Sequence, residues 1–186
     1  MAIKIYIDQG HNPENPNAGA EGNGLREQDI TYRVGKELAA RLEQNPNYEV
    51  RLSRPTPTTS LGSSNSTSLR ARVDDANAWG ADYFISIHTN ASENPSASGI
   101  EAFAYSSPSR AFSLGESIVR ALSAQTGQRN RGMKVRPGLY VLRKTAMPAV
   151  LLEIGFITNP EEAARMYNDP ALYARGIYDG IVAELG

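Results

Sequence analysis

Short apolar runs separated by amphipathic stretches constrain this chain more than any other feature. "IKIYID" (residues 3–8), "YFISIH" (83–88) and "AVLLEI" (149–154) are nearly continuous in β-branched, aromatic and aliphatic residues. Such runs mark strands covered on both faces rather than half-exposed ones. Further strands are expected at Val50–Ser53, Ile100–Tyr105 and Leu139–Leu142. Between the runs, Asp29 to Leu42 sets Ile30, Val34, Leu38 and Leu42 four apart on one helical face. Ser68–Trp79 and Ala111–Thr126 carry similar apolar stripes, and each stops at a glycine, Gly80 and Gly127. Pro160–Tyr167 and Pro170–Leu185 read as two closing helices. The alternation predicts an α/β fold, a mostly parallel twisted sheet of about six strands flanked by helices on both faces. At 186 residues the chain is expected to form one domain, 1–186, with a sizeable core.

Two segments stand apart. "NPENPNAGAEGNG" (12–24) is a polar loop rich in proline, glycine and asparagine directly after His11. "RPTPTTSLGSSNSTS" (54–68) is low in complexity and is expected to be mobile. Loops of this length in a small domain tend to be functional or disordered, and the first is the better functional candidate.

Composition removes several classes of function. Nineteen basic residues balance twenty acidic ones, and no basic block stands out, so a nucleic-acid partner is not expected. No apolar run is long enough to span a bilayer, and membrane insertion is not expected. The opening "MAIKIYID" is too short in its apolar part for an export signal. Either the chain is made without one, or a leader or further modules lie outside it. With no cysteine, disulfides, thiolate zinc sites and a cysteine nucleophile are all excluded.

Metal chemistry must then rest on histidine and carboxylate. The chain has two histidines, His11 in "YIDQGHN" and His88 in "YFISIHTN", each where a strand gives way to a loop. In open α/β sheets, ligands gather beyond the carboxyl ends of strands. Glu153 interrupts the apolar run "AVLLEIGF", a costly place for a charge unless it is paired or bound to a metal. Glu27 opens the first long helix after the glycine-rich loop. Two imidazoles and one carboxylate make a catalytic zinc set, with His11, His88 and Glu27 as ligands. Glu153 would then serve as the acid/base for amide hydrolysis. Simpler readings exist: Glu27 as a first-turn glutamate favoured by the helix dipole, Glu153 as the partner of a core arginine.

Taken in order, these segments resemble the zinc-dependent N-acetylmuramoyl-L-alanine amidases of the amidase type 3 family. Its opening Asp-Pro-Gly-His-Gly corresponds to "IDQGHN", and its glycine-rich loop and helix-starting glutamate to "GNGLREQDI". "VRLSR", "SLRARVDDANAWGAD", "SIHTNA", "GIEAFAY" and "LYVLRKTAMPAVLLEIGFITNPEE" follow in the family's order, so the resemblance runs from Ile3 to Leu185. It implies one zinc ion on His11, Glu27 and His88, with Glu153 as the catalytic glutamate. It also implies a peptidoglycan substrate cut between N-acetylmuramic acid and L-alanine, at the bacterial cell wall; a monomer is expected. Arg54 and Arg72 match arginines of the pattern, and Asn90 follows the second histidine. All three are candidates for substrate contact, with core ion pairs or loop shaping as the alternative. Gln9, Asn12 and Ser53 depart from the pattern, where proline, glycine and threonine are usual. Some relatives carry a helical insertion that plugs the site. Here only "SENPSAS" separates "HTNA" from "GIEAF", too few residues for such a helix, so an open site is expected.

Overall fold

The computed structural model describes residues 1–186. In chain order, β1 (Ile3–Gln9) leads into a small hairpin, β2 (Glu21–Gly22) and β3 (Leu25–Arg26), and then α1 (Glu27–Glu43). β4 (Tyr48–Leu52), α2 (Asn65–Trp79), β5 (Tyr83–Asn90), β6 (Ile100–Ala104) and α3 (Arg110–Thr126) follow. The chain closes with β7 (Asn130–Val135), α4 (Tyr140–Lys144), β8 (Ala149–Phe156), α5 (Pro160–Asn168) and α6 (Pro170–Leu185). Six strands make one sheet in the order β4-β1-β5-β8-β6-β7. Its pairings are parallel except β6 against β8, which is antiparallel.

Local chemistry explains the helix boundaries. The Ser64 and Thr67 side chains cap α2 reciprocally, and Gly80 ends it in the left-handed conformation. Asn159 and Asp169 cap α5 and α6, each followed by proline at the first helical position. Between β5 and β6 there is no helix.

One expected strand is wrong. Leu139–Leu142 is not a strand; Tyr140–Lys144 forms the short helix α4, and the sixth strand is Asn130–Val135 instead. A four-residue apolar run does not distinguish buried helix from strand by its period. β7 escapes notice because it is a polar edge strand, "NRGMKV", kinked by a bulge at Gly132 (φ 80°).

The two faces of the sheet are covered unequally, and that difference makes the site. On one face α1, α3 and α6 close over a core of 28 buried residues. On the other, α2 and α4 cover only a ten-residue cluster containing Tyr6, Phe84, Phe103 and Leu151. Along this second face the inward residues turn from apolar to polar. Tyr6 gives way to Asp8, Phe84 to Ser86 and His88, and Leu151 to Glu153. Strand pairing sets His88 beside Glu153, and Glu153 beside Glu101.

Candidate metal centre

His11 follows β1 with φ 69°, a left-handed conformation unusual for a residue with a side chain. Such strain persists only where the surroundings over-determine it. Here the Arg72 guanidinium donates to the His11 carbonyl at 2.8 Å, and the Asn12 amide donates to the Asn17 carbonyl at 2.9 Å. The Asn12 side chain, fully buried, bonds the Pro16 and Leu61 carbonyls and accepts from the Leu61 amide. The 54–68 segment, expected to be mobile, thus closes directly on the histidine loop.

Glu27 is the first residue of α1 and is almost fully buried. Its Oε1 accepts from the Thr89 amide and its Oε2 from the Ala20 amide, each at 2.9 Å. The same oxygens lie 3.1 Å from His88 Nδ1 and 3.2 Å from His11 Nε2. Burial alone would raise the Glu27 carboxyl, but the two imidazoles outweigh it and hold the group well below the usual carboxylate range. The two rings meet edge to face, centroids 4.9 Å apart.

One ligand atom from each of His11, Glu27 and His88 lies within 4.8 Å of the others. The 3.1 and 3.2 Å separations are close to the ~3.4 Å expected between ligands on a tetrahedral ion with bonds of ~2.1 Å. Glycines leave room for this closeness: a Cβ on Gly10 would meet the His88 ring at 2.5 Å, and one on Gly19 would meet Glu27 at 2.8 Å. The three side chains therefore fit a divalent metal ion.

Glu153 stands on the neighbouring strand. Its Oε2 is buried without a hydrogen-bond partner, so the carboxyl does no evident structural service. Burial first, then the charges of Glu27 and Glu101, push it up to about 8, against a smaller pull from Arg136. A cation among the three ligands would favour its ionised form again.

The weaker candidates lie elsewhere. Arg72 and Arg54 are each 1% exposed, so neither guanidinium faces solvent. Arg72 bonds Asp8 at 2.7 Å as well as the Gln9 and His11 carbonyls, and Ser86 donates to the other Asp8 oxygen. Arg54 donates to the Gln28 and Pro57 carbonyls. Asn90 donates to Glu101 at 2.8 Å. Sequence reasoning passed over Asp8 and Glu101. Both are carboxylates inside apolar strands, "IKIYID" and "IEAFA", the same signal that singled out Glu153. Arg72→Leu should destabilise the fold by about 3–5 kcal/mol in denaturant unfolding, because Asp8 would stay buried without its partner. A loss under about 1 kcal/mol would mean that water reaches Asp8.

Comparison with known proteins gives the family. The model of the family described as N-acetylmuramoyl-L-alanine amidase matches residues 5–183. The amidase LytC of Bacillus subtilis (strain 168) is 36% identical over 96% of this chain, which spans about a third (35%) of LytC. The amidase CwlM of Bacillus licheniformis is 35% identical over 96% of the chain and 67% of its own length. The catalytic domain of the amidase CwlV from Bacillus (Paenibacillus) polymyxa var. colistinus superposes with a TM-score of 0.86 at 32% identity, covering 98% of each chain. With the family pattern matched from the first strand to the last helix, this chain belongs to the N-acetylmuramoyl-L-alanine amidases.

Proposed function

We propose that residues 1–186 form a single catalytic domain that hydrolyses the amide between the lactyl group of N-acetylmuramic acid and L-alanine in bacterial peptidoglycan. The observation that carries this reading is the convergence of His11, Glu27 and His88 beside the unpartnered Glu153 carboxyl. The donor set, two imidazoles and a carboxylate with no thiolate, is that of catalytic zinc, and one zinc ion is the cofactor we assign. When bound, zinc supplies Lewis acidity toward the amide carbonyl and water.

The rest falls to the chain. Backbone amides of Ala20 and Thr89 orient the Glu27 carboxylate. Glu153 takes the proton of the attacking water and delivers it to the leaving nitrogen of L-alanine. The short Ala91–Gly99 connection leaves the groove open to a glycan strand. All four groups come from one chain, so a monomer suffices. No helix is long and apolar enough to cross a membrane, and the site of action is the cell wall.

Digestion of purified peptidoglycan is the test. Mass spectrometry should find stem peptides with new L-alanine amino termini and glycans bearing free lactyl carboxyls. A chelator should abolish both products and added zinc restore them. Cleavage inside the stem peptide would overturn the assignment.

A further inference from the structure

Resting on the amidase reading, we infer that Arg136 is a specificity-determining residue that binds a free carboxylate on the peptide side of the scissile amide. From Ser117 to Leu152 the chain has seven basic residues and no acidic one, although it is nearly neutral as a whole. On β7 two of these cations are already engaged. Lys134 and Arg131 both pair with Glu101, and Arg131 also donates to the Ser98 carbonyl. Arg136, just past the strand, is exposed and has no ion pair, and its guanidinium lies over the Phe103 ring, 4.9 Å from the centroid. Its own amide donates to the Ala104 carbonyl at 2.9 Å, which fixes where the side chain leaves the backbone.

Register places that cation relative to the chemistry. Phe103 pairs with Leu151 as Glu101 pairs with Glu153, and all four lie on the face that α2 and α4 cover only in part, with Phe103 and Leu151 in the covered cluster. The guanidinium therefore sits over a point two residues along the strands and one strand across from Glu153, roughly 8–9 Å in the sheet plane. Two residues of an extended peptide span about 7 Å, and the side chain of the second covers the remainder. With the scissile amide at Glu153, the second residue of the leaving peptide reaches Arg136. The sugar side of the bond, an acetamido and an acylated lactyl group, is neutral. The peptide side carries the carboxyl groups, so charge directs the peptide over β6 and β7 and the glycan toward β1. A guanidinium held over an aromatic ring presents its donor fork to a carboxylate with little further ordering.

The test compares two soluble substrates, N-acetylmuramoyl-L-alanyl-D-glutamate with free carboxylates and the same compound as its carboxamide. The zinc-loaded enzyme should prefer the free acid by roughly 10-fold or more in kcat/KM, the usual scale of a charge-assisted hydrogen bond. Arg136→Gln should bring that ratio close to one, mainly through KM for the acid, and Arg136→Lys should keep part of it. An unchanged ratio in Arg136→Gln, including a parallel fall on both substrates, would overturn the assignment, since a merely structural role would affect both alike. If the parent enzyme cleaves both substrates without preference, Arg136 does not read the carboxylate. If it cleaves neither at the L-alanine amide, the amidase reading itself fails.

Discussion

Glu153→Gln should retain its metal and lose about 10²- to 10⁴-fold in amide turnover, the range that general acid/base groups supply. Glu153 is half-buried on a central strand between His88 and Glu101, its buried Oε2 lacking any partner, so no hydrogen bond is broken by the change. Glutamine keeps the volume and is neutral beside Glu27 and Glu101, the state that burial and those two carboxylates already favour for Glu153. Thermal stability should therefore hold or rise while turnover falls, which separates a chemical role from a structural one. Metal content, a melting curve and initial rates on peptidoglycan decide it together. Near-normal turnover, or loss of metal, would mean that Glu153 has been given the wrong role.

His88→Ala should empty the metal centre. His88 is one of two imidazoles on the Glu27 carboxylate, and Gly10 is bare so that the ring can lie against the β1 backbone. Alanine removes a ligand outright, so the affinity loss should exceed the 10- to 100-fold that outer-shell changes cause. The Glu27 carboxylate would keep its Thr89 and Ala20 amides and the fold its sheet, leaving a folded protein without activity. Elemental analysis after dialysis, alongside circular dichroism, is the measurement. Full metal retention would sink the ligand assignment.

Most elements, and the four residues proposed for the site, could be picked out without coordinates because their signals are local. Apolar runs mark the buried strands, and capping residues and prolines mark helix ends, within a few residues of the structures they direct. The two histidines and Glu153 stood out by position, polar groups at or inside strands that should be apolar. Local signals also explain the failure at Leu139–Leu142, where helix and strand look alike over four residues, and at Asn130–Val135, an edge strand under no pressure to be apolar.

By its sequence alone the chain determined an α/β fold, the approximate course of its longer helices and the residue types able to hold a metal. Tertiary structure decided the strand order β4-β1-β5-β8-β6-β7, and with it that His88, Glu153 and Glu101 stand side by side. It also decided that Arg72 is spent on buried Asp8, while Arg136 lies free over Phe103. Pairing partners lie tens of residues apart, and strands of similar composition could pair in several orders. Only the closing of helices over one face selects one order and leaves the polar end of the other open.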